Sequence, residues 1–382
     1  MPEKYKFDIT YVYGNGRKIK LESKNPQGKE FFYGYPYFLD KGYKLNIFET
    51  NNATDLDNSK FTKIVLRFLD KYLSKLTKLT FYLKSLITKQ ALADLYSSKN
   101  IVTSNHGIGM TLFIYVKIFK LFRKINYIVI ISGLFAMKQT NIVSNILRKI
   151  VLSLFLTTVD RLIFTNRSEY EFAIKNYEKF NDRFVCIPFC LDLEFWKPSL
   201  DLKISEKKGV LFIGNNGHRD FNLVIDIAEK LPNIEFTFIT KIIKDDDIKS
   251  DNVKNIMGDW NANYLSDEEI KDFYEKARMV ILPINNTLVS SGQSAGLQSA
   301  SVGTTVLTSK TIGFWDYKNY KDKENIIFLE NNNLDLWVNK IEEIYDDTDL
   351  LSRISVNSKK LVIEEYALEI FDKELEKCLI LE

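Results

Sequence analysis

The chain has 382 residues, 45% of them apolar and 27% charged, with a formal net charge of +3. That length exceeds one ordinary core and that apolar fraction excludes disorder on a large scale, so two globular domains are expected. Three cysteines (Cys186, Cys190 and Cys378) and two histidines exclude a disulfide scaffold and a Cys- or His-rich metal site, and they suit a reducing compartment.

The first residues lack the apolar core of a signal peptide. Phe7 to Tyr13 alternates as a strand and ends in the glycine loop Gly14-Asn15-Gly16, which by itself marks a turn as readily as a phosphate loop. A helix over Glu30 to Asp40 and a strand over Lys44 to Phe48 complete a βαβ opening. From Ser59 to Tyr96 a helical period carries Lys63, Arg67, Lys71, Lys75, Lys78 and Lys84 among aromatic residues and leucines. A second such stretch, Phe113 to Asn126, carries Lys117, Lys120, Arg123 and Lys124. Basic amphipathic helices of this kind lie in an anionic interface or pack on their own sheet.

Between the two stretches, a strand from Ile101 runs into a loop carrying His106. Tyr127 to Ile131 followed by Ser132, and Arg161 to Thr165, repeat that strand-to-loop pattern, so His106 is expected to face a cleft. The longest apolar runs, Tyr127 to Met137 and Ile150 to Val159, fall short of the roughly 20 residues that span a bilayer. A cytoplasmic protein that touches the inner face of a membrane is the expectation.

The segment Cys186 to Pro198, bounded by prolines, reads as an interdomain hinge. Around it the charge changes sign. Residues 1–200 carry 31 Lys and Arg against 17 Asp and Glu, and the remainder 22 against 33, so the basic half points to an anionic partner. A new strand, Gly209 to Gly214, ends in Asn215, and His218-Arg219-Asp220 leads into a helix from Phe221. There Arg219 is placed to hold a diphosphate. Asp245-Asp246-Asp247 reads as a solvated loop. Met279 to Pro283 is a buried strand, followed by the small-residue loop Ser290-Ser291-Gly292-Gln293-Ser294, a helix containing Gln298, and another strand at Thr305. Gly292 and Gly296 allow close approach of backbone to a ligand, and a helix start there offers N–H groups to phosphate or hydroxyls.

The order of these features resembles the GT-B glycosyltransferases, specifically the retaining family four, over essentially the whole chain. Ile187-Pro188 through Phe195-Trp196-Lys197-Pro198 resembles its hinge motif, and the stretch from Ser290 its signature of two glutamates around a glycine-rich turn. The resemblance implies an α/β GT-B fold of two Rossmann-like domains facing each other across a cleft. The expected domains are 1–195, binding the acceptor, and 196–360, binding a nucleotide sugar, with a C-terminal helix over 361–382 returning to the first. It also implies sugar transfer with retention to a glycan or lipid-linked acceptor, without metal or other cofactor. The signature glutamates fall on Ser290 and Gln298. Gln298 is then expected to hold the donor ribose, with Gln298→Glu tolerated, and Ser290, Ser291 or Gln293 to stand near the sugar. Gly214, Asn215, His218, Arg219 and Ser294 complete the donor set. Lys241 is expected to supplement Arg219, and His106 to take over from the family's amino-domain histidine, whose place falls on Ser132. Gly14, Asn15, Gly16 and Ser132 are expected to meet the acceptor. Two other classes fit the same residues: a GT-B module that binds nucleotides without catalysis, and a nucleic-acid-binding or nucleic-acid-modifying protein using the basic half, although nucleic acid is not the expected partner.

Overall fold

Runs rich in Val, Ile and Phe form two sheets, each of six strands and each parallel throughout. A computed structural model describes residues 5–23, 25, 27–50, 60–136, 141–200, 202–259 and 264–380. Ser59, Met137 and the outer limits of the expected domains at both chain ends lie outside them.

The first sheet contains β1 (Phe7–Tyr13), β2 (Leu45–Glu49), β3 (Ser98–Thr103), β4 (Asn126–Ile131), β5 (Arg161–Phe164) and β6 (Phe184–Cys186), in the order β2-β1-β3-β4-β5-β6. The second contains β7 (Lys208–Ile213), β8 (Phe236–Ile239), β9 (Val253–Ile256), β10 (Ala277–Leu282), β11 (Thr305–Ser309) and β12 (Ile327–Leu329), in the order β12-β11-β10-β7-β8-β9. The order reverses between β1 and β3 in one sheet and between β7 and β10 in the other. At such switch points adjacent connections leave on opposite faces and open a crevice at the carboxyl ends of the strands.

Helices cover both faces. In chain order they are α1 (Arg17–Glu22), α2 (Tyr35–Asp40), α3 (Lys60–Thr77), α4 (Leu83–Leu86), α5 (Lys89–Tyr96), α6 (His106–Phe119), α7 (Ile142–Thr158), α8 (Arg167–Asn176), α9 (Phe221–Lys230), α10 (Asp267–Lys276), α11 (Gln293–Ser301), α12 (Leu334–Tyr345), α13 (Thr348–Glu365) and α14 (Leu368–Lys377). Two-sided cover is why β4 and β10 are buried at every residue and, apart from Asn126 and Arg278, read as apolar runs.

Three expected helices differ. The run over Glu30 to Asp40 is a 3-10 turn, Glu30–Phe32, and then α2, because Tyr33 (φ 47°) and Gly34 (φ 84°) sit in the left-handed region between them. The first basic stretch divides into α3, α4 and α5, with left-handed Lys78 (φ 56°) closing α3 and Thr88 capping α5 through Ala91 N–H. The second is the carboxyl half of α6, a helix that starts earlier because Asn105 caps Ile108 N–H; beyond Phe119 it gives way to turns.

The chain crosses between the sheets twice. Leu191 N–H bonds Tyr366 O, and Leu368 N–H bonds Leu191 O, both at 2.8 Å, so the outward and return segments are stitched together. Beyond this stitch α14 buries Phe371 and Leu375 among Ile9, Tyr11, Tyr13, Phe38 and Ile187 of the first domain. Because Phe371 is only 2% exposed, Phe371→Ala should cost about 3–5 kcal/mol of stability. Urea unfolding measures it, and a loss below about 1 kcal/mol would mean that α14 does not share that core.

Candidate functional site

Both switch points open into cavities that adjoin. The larger, ≈ 530 Å³, is lined from the first domain by Arg17, Phe31, Tyr33, Ser132, Thr165 and Phe189. The second domain contributes Gly214, Asn215, Arg219, Lys241, Asp267, Tyr274, Ser290 to Ala295 and Gln298. The smaller, ≈ 450 Å³, lies at the ends of β1 and β3 and is lined by Gly14, Thr80, Tyr82, Ser104, Asn105, His106 and Gly107. Arg17, Tyr33, Ser132 and Thr165 line both.

Arg219 is 7% exposed, and its Nε–H has no hydrogen-bond partner. Burial pulls its pKa down to about 10, with the Tyr274 phenol opposing the shift, so it stays charged near neutral pH. Gly214 must be glycine here: its φ is 138°, and a Cβ would come 2.2 Å from the Arg219 Cζ. In the same domain Ser291, 4% exposed, also has a buried Oγ without a partner. It stands immediately before Gly292, the residue that caps α11. A buried cation, an unsatisfied hydroxyl and the positive end of a helix thus line one cavity, as an anion site requires.

Other expected donor residues have different work. The Asn215 amide spans the loops after β7, β8 and β9, donating to Gly258 O (2.6 Å) and accepting from Lys241 N–H (2.7 Å) and Thr240 Oγ1 (3.0 Å). Lys241 lines the cleft but is paired with Asp259 at 2.8 Å, whereas Arg219 Nε has no partner. Asp220 caps α9 through Leu223 N–H. His218 is absent from the lining of both cavities, as are Asn15 and Gly16, because the Gly-Asn-Gly loop turns directly into α1 and presents Arg17 instead. Gln293 reaches across the cleft and donates to Thr165 O at 2.9 Å. It braces the start of α11 on the first domain, alongside the Arg167–Asp316 ion pair at 3.2 Å. His106 and Gly14 line the smaller cavity, Ser294 the larger, and Ser132 both. Asp245 to Asp247 form an exposed 3-10 turn.

Gln298 is held by a contact absent from the sequence reading. Its Nε2 donates to Glu30 Oε1 at 3.1 Å, and its Oε1 accepts from the Tyr274 hydroxyl at 3.4 Å; Trp196 Nε1 donates to the same Glu30 oxygen at 2.8 Å. Burial pushes the Glu30 carboxyl up to about 7, against the hydrogen bonds that lower it. The expected tolerance of Gln298→Glu did not reckon with this partner, since that change sets a second carboxyl group against a buried one. Arg17, directly after a glycine loop at a strand end, was open to sequence reading. Glu30, 268 residues from Gln298, carried no signal.

Because the Glu30 pKa is raised by folding, its contribution to stability is complete below the unfolded value near 4.3 and is lost as pH rises through about 7. The melting temperature of Glu30→Gln relative to the unaltered protein should therefore rise between pH 5 and pH 8. A difference that stays constant over that window would contradict this titration.

No protein-family model matches the sequence, and no curated protein matches it either. Solved structures do match it along almost their full length. A glycosyltransferase from Rickettsia africae is 12% identical with a TM-score of 0.63, covering 98% of both chains. Sucrose-phosphate synthase from Thermosynechococcus elongatus is 13% identical with a TM-score of 0.65, covering 97% of both. Anabaena HepE, solved in complex with UDP-glucose, is 10% identical with a TM-score of 0.65, covering 96% of this chain and 98% of its own. The chain has the GT-B fold, two Rossmann-like domains facing each other across a cleft.

Proposed function

We propose that this protein is a glycosyltransferase that moves a sugar from a nucleotide-sugar donor to a hydroxyl of a glycan or lipid-linked acceptor. The observation that carries the reading is the pair of buried, unpartnered polar atoms, Arg219 Nε and Ser291 Oγ, in one cleft beside the α11 amino terminus. Retention of configuration and independence from metal belong to the same reading, through the resemblance to family four.

The leaving nucleoside diphosphate gains negative charge as its bond to the sugar breaks. Fixed donors that need no reorganisation stabilise that charge: the Arg219 guanidinium, the Ser291 hydroxyl and the first N–H groups of α11. In this role they take the place of a divalent cation. The acceptor hydroxyl enters from the adjoining cavity, where His106 supplies a base. UDP is the first donor probe, given the UDP-glucose held by HepE. Arg219→Ala should weaken UDP binding by about 1.5–3 kcal/mol and Ser291→Ala by about 0.5–1.5 kcal/mol. Affinity unchanged in both variants by calorimetry would put the phosphates elsewhere.

The acceptor is delivered from an anionic membrane surface in this reading. The described residues include no helix long and apolar enough to cross a membrane, but the first domain exposes bulky apolar side chains on neighbouring helices. Phe61, Phe68 and Tyr72 of α3 are 76%, 55% and 57% exposed, and Ile142, Ile146 and Ile150 of α7 are 79%, 54% and 52% exposed. Leu121 and Phe122 beyond α6 add to the set. The exposed Lys71 and Lys75 of α3 stand beside them, and each such cation near an anionic surface is worth about 1 kcal/mol. The protein should sediment with phosphatidylglycerol vesicles but not phosphatidylcholine vesicles, and changing Lys71, Lys75 and Lys78 together to Glu should release it. Indifference to anionic vesicles at low salt, with tight salt-dependent binding to RNA or DNA, would reverse the assignment.

A further inference from the structure

The carboxylate absent from position 298 is present in three dimensions, delivered by the first domain. Glu30 sits in the 3-10 turn Glu30–Phe32 and is 2% exposed. Its Oε1 receives both Gln298 Nε2 and Trp196 Nε1. Gly28 lies against the other oxygen, where a Cβ would come 2.3 Å from Oε2. Resting on the donor reading above, we propose that Glu30 is a positioning residue that orients Gln298 to hold a vicinal diol, the ribose of the donor nucleotide.

The argument is one of hydrogen-bond direction. Glu30 Oε1 already receives Trp196 Nε1–H and acts as an acceptor whether or not the other oxygen carries a proton, so the Gln298 nitrogen turns to Glu30 and its oxygen to the Tyr274 hydroxyl. One N–H and one lone pair of the amide are then left over, and Gln298 lines the cleft. An adjacent donor and acceptor is the complement of two neighbouring hydroxyls, each of which donates and accepts. The placement agrees. Gln298 lies six residues beyond Gly292, about 9 Å along α11 from the end that meets the phosphates, and the ribose is the next group of a nucleoside diphosphate in that direction. Because Trp196 and Gln298 share one oxygen, an amide at position 30 whose oxygen satisfies Trp196 keeps the acceptor that Gln298 uses, whereas alanine at position 30 removes it. Without that acceptor the Gln298 amide loses its fixed orientation.

Calorimetry with UDP and 2′,3′-dideoxy-UDP tests this. The unaltered protein should prefer UDP about tenfold or more. Glu30→Ala should reduce the preference toward unity by weakening UDP while leaving the dideoxy compound unaffected, and Glu30→Gln, which keeps the shared acceptor oxygen, should retain the preference. A cooperative thermal transition in each variant checks that the fold is intact. Equal weakening of both nucleotides by Glu30→Ala, or a preference that survives it, would overturn the proposal and make the contact purely structural. If UDP binds the unaltered protein with no preference over the dideoxy compound, the proposal fails and the donor reading stands. If neither nucleotide binds, both fail.

Discussion

Parallel pairing sends every strand of a sheet out at the same edge, and in this protein two such edges meet. The loops that leave them are short of intrinsic partners, so polar groups at the edge are satisfied by other loops, by helix ends or by a ligand. Each feature of the site follows from this. Gly14 and Gly214 end the first strands of their sheets at the two switch points, and the residues after them supply Arg17 and Arg219. The strand β10 ends in the loop that carries Ser290 to Gly292 into α11.

The two edges are also joined, by apolar packing and by a set of polar contacts. Gln293 bonds Thr165 O, Arg167 pairs with Asp316, Gly28 N–H reaches Asp267 at 3.2 Å, and Glu30 meets Trp196 and Gln298. Such contacts are directional and modest in net worth, since folding exchanges them against water. Together with Leu288, which packs into the first-domain core, they hold a defined cleft geometry. The buried Glu30 carboxylate is the costly member of this seam. A charge kept out of water with few partners lowers stability, and functional sites are where such costs are usually retained.

The outer surface of the first domain obeys a different constraint. A helix on a sheet buries one stripe, and its opposite face is normally polar. Here α3 and α7 carry apolar residues on the far face as well, next to lysines. A surface of this kind suits a partner that is greasy below and anionic above. The imbalance of charge between residues 1–200 and the rest has the same sense, with the cations gathered on the domain that would approach that partner.

The alternation of apolar runs with periodic segments, the proline-bounded segment from Cys186 to Pro198, the small-residue loop before Gln298 and the opposed charge of the two halves are legible in the chain itself. Those features are local, and local pattern suffices for them. Arg219 was also legible, because a cation between a strand end and a helix start has few other places to point. What the tertiary structure alone decided is what each polar group faces. Periodicity separates two faces of a helix but does not say which meets a sheet, so the exposed apolar side of α7 was read only as a run too short to span a bilayer. Lys241 and Asn215 look free in sequence and prove to be occupied by Asp259 and by neighbouring loops. Gln298 looked like a lost carboxylate, yet a carboxylate is beside it, contributed by a turn 268 residues away. Hydrogen bonds and ion pairs depend on distances of a few ångströms between groups remote in the chain, and only the packed fold sets those distances.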